Sequence, residues 1–163
     1  MRAAVDASAL IFLTQLGRLD ILRQYSSVLT VPEVMEEIDR GLAAGHPEAL
    51  HVRALVEDGF LRVRAGGRPR QEWNLDPGEG ALLALALREK VDETVTDDRP
   101  AIAVAKYHGL RPVSVPYLLL RERLAGRISQ GAYEALLRQL LSFGYYLTAD
   151  LHYRLVEAGR GRR

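Results

Sequence analysis

The sequence predicts an α/β fold, a three-layer α/β/α sandwich with a mainly parallel central sheet and a helical C-terminal extension. Through the first 115 residues, short strand-like segments alternate with helical segments, which is typical of parallel sheets whose crossovers are helices. Beyond Pro116 the apolar spacing is helical to the end of the chain. A chain of 163 residues has the length of one domain. We therefore expect a single domain over 1–163, with an α/β core at 1–115 and a helical part at 116–163.

The predicted strands are short apolar or β-branched segments. They cover residues 2–5, 27–31, 60–63, 93–96 and 110–115. The helices between them begin at a proline or a capping residue and end at a glycine or another chain break. They cover residues 9–16, 19–22, 32–41, 47–57, 76–90 and 100–109. Ligands of open parallel sheets bind at the carboxyl ends of the strands, so side chains that follow strands are the first candidates for a site.

Composition excludes several classes of function. The 22 basic and 21 acidic residues leave a formal charge of +1. This argues against a protein that binds nucleic acid mainly through a large overall positive charge. The absence of cysteine excludes disulfides, thiolate zinc sites, iron–sulfur clusters and cysteine nucleophiles. No apolar stretch is long enough for a membrane span, and the first residues lack a secretory pattern, so we expect a cytoplasmic protein.

Carboxylates follow several of the predicted strands. Because parallel strands end at one edge of the sheet, these carboxylates are expected to meet there and to repel one another unless a cation compensates them. Mg²⁺ and Mn²⁺ prefer such oxygen ligands. The acids in question are Asp6, Glu33, Glu36, Glu37, Glu79, Asp97 and Asp98.

Each of these acids also has a purely structural interpretation. Asp6 and Asp98 stand where N-caps of helices are expected. Asp76 and Glu79 have the spacing of a capping box, in which the two residues satisfy each other's backbone N–H groups. The loop residue Trp73 either packs against its neighbours or stacks on a base.

Two adjacent glutamates compete for a place in the predicted site. Val34 and Ile38 mark the apolar stripe of their helix, and Glu37 lies beside that stripe at the core boundary. Glu36 is turned by about 100° and is expected to face solvent. We therefore select Glu37. A bound divalent ion activates water and stabilises charge on a phosphate, so the predicted chemistry is phosphodiester hydrolysis.

At these residues the sequence resembles the PIN domain superfamily, a fold of metal-dependent nucleases. The matching segments are VDASALI with Asp6, VPEVMEEI with Glu37, GEGALLALA with Glu79 and VTDDRPAIAVAKYHGL with Asp97 and Asp98. The tail GRISQGAYEALLRQLLSFGYYLTADLHYRLVEAG is similar to that of an uncharacterised prokaryotic branch of the superfamily. The segment PVSVPYLLL departs from that branch because it lacks the usual glycine.

The resemblance implies a Mg²⁺- or Mn²⁺-dependent ribonuclease. Asp6, Glu79 and Asp98 would ligate the ion, with Asp97 beside them, and Glu37 would orient water. The catalytic set is then Asp6, Glu37, Glu79 and Asp98, and the metal set is Asp6, Glu79, Asp97 and Asp98.

The resemblance also implies substrate contacts and partners. Ser8 or Thr96 would hydrogen-bond a carboxylate or the phosphate, and Arg99 would either contact the phosphate or form a surface salt bridge. The implied partners are single-stranded RNA, an antitoxin protein of a toxin–antitoxin pair, and a second copy of the chain in a homodimer. No membrane is implied.

Two other functions fit the same fold. One is a non-catalytic module that binds RNA or a protein, for which loss of the acids would leave affinity intact. The other is a receiver-like phosphotransfer domain, which requires an acid pair after the first strand and a lysine after the last. Here the pair follows a later strand and Lys106 lies within a helix, which disfavours that interpretation.

Overall fold

A computed structural model describes residues 1–161 of the chain, and Arg162 and Arg163 of the predicted helical part lie outside the described residues. The chain divides into two compact units, Met1–Ser114 and the part that begins at Val115. The first unit holds the sheet and the second is helical. The α/β/α fold with a parallel sheet is therefore confirmed, while the single-domain organisation stays a prediction.

The central sheet of the first unit has five strands, and every pairing in it is parallel. The spatial order is third, second, first, fourth, fifth, so the first strand lies in the middle. Its residues Ala3, Ala4 and Val5 are completely buried, as expected for a parallel strand covered on both faces. The strands are β1 (Arg2–Val5), β2 (Ser27–Thr30), β3 (Leu61–Val63), β4 (Glu93–Val95) and β5 (Pro112–Val113).

The strand order creates a topological switch point between β1 and β4. From β1 the chain builds the sheet outward through β2 and β3, and then crosses to the other side of β1 to form β4 and β5. At such a point the connections on either side of the gap diverge, which leaves a crevice at the carboxyl edge of the sheet. Asp6 follows β1 directly, and Asp97 and Asp98 follow β4, so the fold places these acids at the crevice.

Helices connect the strands, and most of their starts agree with the sequence pattern. Two short 3₁₀ helices, Leu19–Gln24 and Gln71–Trp73, interrupt the connections. The α-helices of this unit are α1 (Ala7–Gln15), α2 (Pro32–Ala43), α3 (Ala49–Glu57), α4 (Pro77–Glu89) and α5 (Arg99–Tyr107).

Several predicted boundaries are wrong by one or two residues, and two of these differences have a clear cause. Gly41 does not end α2, because its backbone keeps a negative φ; the helix continues to Ala43, and Gly45 with a φ of 93° follows its end. The fifth strand is limited to Pro112–Val113, because α6 begins already at Val115 (Val115–Leu124) with a proline in its first turn.

The loop before α4 packs closely onto that helix because both sides of the contact carry glycine. A Cβ atom added at Gly66 would lie 2.8 Å from the Cβ of Ala81, and one added at Gly80 would lie 2.7 Å from the Cβ of Pro69. Real Cβ atoms do not approach so closely, so larger residues at these positions would separate the loop from the helix. The contact surrounds the first turns of α4, which carry Glu79.

Trp73 belongs to the same packed region. It is buried in a cluster with Leu83, Ala101 and Ala105, and its indole Nε1–H donates to Nε2 of His108 at 3.0 Å. Of the two interpretations of Trp73, packing is therefore the one that the structure supports.

The second unit consists of three mutually contacting helices, α6, α7 (Gln130–Ser142) and α8 (Ala149–Arg160). The completely buried Tyr133 of α7 donates its hydroxyl to the carbonyl of Leu155 at 3.1 Å. A Cβ atom added at Gly159 would lie 2.6 Å from the Tyr133 ring, so the absence of a side chain there allows α8 to approach α7. None of the helices within residues 1–161 combines the length and the apolar character needed to cross a membrane.

We predict that Gly80→Ala destabilises the protein, by about 1–3 kcal/mol, because the new methyl group would overlap the ring of Pro69. The matched control is Gly41→Ala, a helical glycine with no atom within 4 Å of the added Cβ. It should stabilise by about 0.5–1 kcal/mol through helix propensity. Urea unfolding measures both; a Gly80→Ala protein at least as stable as the wild type would contradict the close contact.

Candidate metal centre at the carboxyl edge of the sheet

Asp6 is the most deeply buried carboxylate of the predicted site, with only 4% of its surface exposed. Its backbone N–H donates to the carbonyl of Val95, which joins the end of β1 to the end of β4. Its side chain caps α1 by accepting the N–H of Ala9 at 2.8 Å, and it also accepts the hydroxyl of Ser8 at 3.2 Å. The capping role and a role in the site are thus combined in one residue.

Burial dominates the electrostatics of Asp6. Desolvation raises the pKa of Asp6 to about 7, and the nearby charge of Asp97 adds to the increase. Hydrogen bonds from Thr96, Ala9 and Ser8 act in the opposite direction, because they stabilise the carboxylate form. Asp6 is therefore close to half-protonated near neutral pH unless a cation neutralises it.

Thr96 connects the two acidic segments. It is buried at the end of β4, and its side chain hydrogen-bonds the carboxylate of Asp6. The same hydroxyl oxygen accepts the backbone N–H of Asp98 at 3.2 Å. Because a threonine hydroxyl has one proton, this arrangement directs that proton to Asp6. Thr96 therefore fixes the position of Asp6 relative to the start of α5.

Asp98 is the N-cap of α5 and accepts the N–H of Ala101 at 2.8 Å. The structural interpretation of Asp98 is confirmed in that respect, and the residue is half-buried. Asp97 is also half-buried and lies near enough to Asp6 to raise its pKa. Asp98 therefore caps α5, whereas the charge of Asp97 acts on Asp6.

Glu79 brings α4 into the same electrostatic neighbourhood. Partial burial is the largest cause that raises the pKa of Glu79 to about 7, and the next is the charge of Asp98. The charges of Asp76 and Glu37 raise it further. Three segments that are distant in sequence therefore place their carboxylates within range of one another.

The predicted capping box at the start of α4 is only half formed. The carboxylate of Glu79 accepts the backbone N–H of Asp76, as predicted. Asp76, however, is the N-cap residue without making a side-chain hydrogen bond. The side chain of Asp76 is exposed, so water satisfies it.

Glu37 differs from its predicted environment. It is exposed rather than at the core boundary, as is Glu36. Glu37 nevertheless lies near enough to Glu79 to raise its pKa, whereas Glu36 is not among the groups that do so. It also borders a cavity of about 190 Å³ whose apolar lining includes Ile11 and Ile38.

Glu33, one of the acids expected at the carboxyl edge of the sheet, is half-buried in the first turn of α2. Its Oε2 atom is buried and, among the residues that the structure describes, has no hydrogen-bond partner. The Cβ of Glu33 would lie 3.9 Å from a Cβ added at Gly78, so the first turns of α2 and α4 are adjacent. Its position after β2 indicated it in the sequence, but the burial of its oxygen could not be inferred there, because it depends on the packing of α2 against α4.

The remaining predicted residues lie at the periphery. Ser8 contacts Asp6, as described, and is half-buried. Arg99 is exposed in the first turn of α5, directly after Asp98.

The donor set fits a hard divalent ion. The site offers carboxylate oxygens, two of which have a raised pKa through burial and mutual repulsion, together with the buried oxygen of Glu33. Over residues 1–161, no group of three or more acidic or histidine side chains is already arranged around one point. Mg²⁺ keeps several waters and needs only one or two carboxylates, so a pre-formed cage of protein ligands is not required.

We predict that the wild-type protein, free of divalent ions, loses stability as the pH rises from about 4 to 7. An unfolded aspartate releases its proton near pH 3.9, whereas folded Asp6 retains its proton until about pH 7. Folding therefore takes up a proton in this window, and deprotonation costs a few kcal/mol (order of magnitude).

Asp6→Asn should flatten this pH dependence and keep the cap of α1, because asparagine is an equally good N-cap. The control is Asp20→Asn, at an exposed aspartate paired with Arg18. Unfolding free energies measured from pH 4 to 9 in EDTA provide the comparison. Equal slopes for the wild type and Asp6→Asn would show that Asp6 is not desolvated.

We also predict that Thr96→Val raises the titration midpoint of Asp6 further, because the carboxylate loses a hydrogen bond that lowers its pKa. Thr96→Ser retains a hydroxyl and should restore the wild-type midpoint. Carboxyl ¹³C chemical shifts followed by NMR measure both variants. If valine and serine give the same midpoint, the hydroxyl of Thr96 does not stabilise the charge on Asp6.

Comparisons with known proteins are consistent with this geometry. The solved structure of a PilT N-terminus domain protein from the hyperthermophilic archaeon Sulfolobus solfataricus P2 is similar in fold, with a TM-score of 0.52 and 19% sequence identity. The match covers 72% of this chain and 90% of that one. A search of the curated proteins gives no significant match. A family model described as PIN domain matches residues 2–159, nearly the whole chain. The chain therefore belongs to the PIN domain superfamily, whose members are generally metal-dependent nucleases.

Proposed function

We propose that this protein is a Mg²⁺- or Mn²⁺-dependent ribonuclease that hydrolyses phosphodiester bonds of single-stranded RNA. The observations that support the proposal are the interactions between the acids of the site in pairs: the charge of Asp97 raises the pKa of Asp6, and that of Asp98 raises the pKa of Glu79. Two of these acids have a pKa raised to about 7, so the site holds more negative charge than it can keep without a cation.

Asp6, Glu79 and Asp98 would hold the ion, with Asp97 beside them. When bound, a divalent ion supplies the positive charge that activates water and stabilises a phosphate under attack. Ser8 and Thr96 keep the carboxylate of Asp6 fixed through their hydroxyl groups. Pre-positioned ligands of this kind need no rearrangement when the substrate arrives.

The outer residues of the site would handle water and substrate. Glu37, which is exposed and near Glu79, would orient an attacking water and accept its proton. Arg99 is exposed beside Asp98 and would contact the phosphate. The N-termini of α1 and α5 follow the ends of β1 and β4, and the positive ends of helix dipoles favour phosphate oxygens.

A second candidate function is a non-catalytic module on the same fold that binds RNA or a protein. One observation favours it: Asp6 and Asp98 already accept the backbone N–H groups of Ala9 and Ala101 as N-caps of their helices. On this alternative, the acids would act as helix caps, and RNA or a protein would bind without turnover.

The biological setting is part of the proposal. A ribonuclease of this size would act in the cytoplasm as the toxin of a toxin–antitoxin pair, with an antitoxin protein as its inhibitor and a homodimer as its working form. Light scattering of the purified protein, alone and with the product of an adjacent small gene, would test the last two points.

We predict that the wild type cleaves end-labelled single-stranded RNA in Mg²⁺ or Mn²⁺ and is inactive in EDTA. Asp6→Asn and Asp98→Asn should both reduce cleavage to the EDTA background. Asparagine retains the N-caps of α1 and α5, so loss of activity is not explained by loss of the fold.

Adjacent residues of α2 provide a matched control. Glu37→Gln should slow cleavage, whereas Glu36→Gln removes the same charge one position away and should leave the rate unchanged. A parallel assay on single-stranded DNA establishes whether the substrate is RNA. If the wild type and both asparagine variants are equally inert across several RNAs and both metals, while RNA binding persists, the non-catalytic alternative is correct.

A further inference from the structure

A large polar cavity in the first unit lies away from the acidic crevice. Its volume is about 720 Å³, within the range of ordinary ligand sites. We call it the arginine cavity, and the residues that define it are Arg2, Ser27, Arg62, Arg64, Arg88 and Glu89.

The register of the sheet explains why these residues meet. Arg2 of β1 is paired with Ser27 of β2, and Leu29 of β2 is paired with Arg62 of β3. Paired residues share one face of a sheet, and so do residues two positions apart in a strand. The cavity therefore lies over one face of β1–β3, and Arg88 near the end of α4 forms part of its wall.

Glu89 is the one acidic residue in the lining, and it is already engaged. It contacts Nη2 of Arg2 at 3.3 Å and Nε of Arg88 at 3.4 Å. Arg2 also donates to the Glu89 carbonyl, and Arg88 donates to the carbonyl of Ala65. These two arginines are thus held in place by the protein itself.

Arg62 and Arg64 are different. Both are exposed, and within residues 1–161 neither side chain has a hydrogen bond or an ion pair. Arginines on an edge strand also prevent edge-to-edge pairing, and β3 is an edge strand. Preventing edge-to-edge pairing does not require a cavity, however. It also does not explain why Arg2 of β1 and Arg88 of α4 line the same space. The cavity retains a surplus of positive charge that a negatively charged ligand would balance.

Arginine indicates the chemical class of that ligand. The planar guanidinium group binds phosphate with two parallel hydrogen bonds, and several such groups around one space suit a chain of phosphates. The chain as a whole is nearly neutral, with a formal charge of +1, so this concentration of arginine is local.

Helix α4 connects the cavity to the acidic crevice. Glu79 is in its first turn and Arg88 in its last. Nine residues separate the two along the helix, which corresponds to about 14 Å. Stacked nucleotides advance about 3.4 Å each, so about four nucleotides of one strand cover that distance.

We infer that the arginine cavity binds phosphates of the same RNA strand that the acidic crevice receives, a few nucleotides from the bond to be cleaved. The inference rests on the proposed function for the choice of RNA. Arg62 and Arg64 supply the free guanidinium groups, while Arg2 and Arg88 shape the space around them.

The experiment compares Arg62→Gln/Arg64→Gln with the wild type in EDTA, where no cleavage interferes. Fluorescence anisotropy measures the affinity for a labelled 12-nucleotide RNA over a range of salt concentrations. The double variant should bind more weakly, and its salt slope should be smaller by about 1.4, because each phosphate contact on a single strand contributes about 0.7.

Two controls accompany it. Arg23→Gln/Arg53→Gln removes the same charge at two exposed arginines outside the cavity and should leave the affinity and slope unchanged. Arg62→Lys/Arg64→Lys retains the charge and should preserve the salt slope. Thermal unfolding of each variant verifies that the fold is intact, as expected for exposed positions.

RNA length and free phosphate distinguish the possible ligands. A dinucleotide is too short to reach from the crevice to the cavity, so the variant and the wild type should bind it equally. Wild-type affinity of the glutamine variant for the 12-nucleotide RNA would overturn the inference, and so would an equal loss for the dinucleotide. Millimolar inorganic phosphate provides a third test. If it displaces the 12-nucleotide RNA from the wild type but not from the glutamine variant, the cavity is a site for a free anion and the inference is overturned.

The outcomes also separate this inference from the proposed function. If the protein cleaves RNA but the cavity variant binds it normally, the inference fails and the function stands. If the wild type cleaves nothing yet the variant loses RNA affinity, the cavity binds RNA and the proposed catalysis is wrong.

Discussion

The candidate metal centre depends on the negative charge that the fold gathers at the carboxyl edge of the parallel sheet. The switch point between β1 and β4 brings Asp6 beside the segment that carries Asp97 and Asp98, and α4 adds Glu79. Burial and repulsion work against this grouping. Hydrogen bonds from Ser8, Ala9 and Thr96 oppose them at Asp6, and helix N-termini contribute positive potential. A site under this tension is suited to a cation, and hydrogen bonds hold Asp6 in place before the cation binds.

Close packing elsewhere maintains that geometry. Glu79 can approach Asp98 only if α4 is correctly positioned, and α4 is positioned by the loop that packs on its first turns. The small residues Gly66 and Gly80 make this approach possible, and the buried Trp73 fills the space beside it. Gly80, which follows Glu79 in the sequence, thus has a packing function, although it belongs to no phosphate-binding motif.

The sequence predicted the order of strands and helices and the acids that follow the strands, because these depend on local patterns. It did not predict where α2 ends, whether Asp76 forms its cap, or the features that depend on tertiary contacts. Gly41 continues α2 because its φ stays negative, and Asp76 leaves its cap unmade because its side chain faces solvent. The buried oxygen of Glu33 and the meeting of Arg2 with Arg62 require the sheet register and the adjacency of α2 and α4. Such information is spread over residues far apart in the chain.

The two borders of the sheet have a consequence for self-association. One border is β3, where Arg62 carries a charge, and the other is the two-residue β5, which begins with a proline that has no N–H to donate. Neither border offers a long, uncharged row of backbone donors and acceptors. Two copies of this chain therefore cannot readily merge their sheets into one continuous ladder. An assembly of the protein with itself would therefore use surfaces other than the two borders of the sheet.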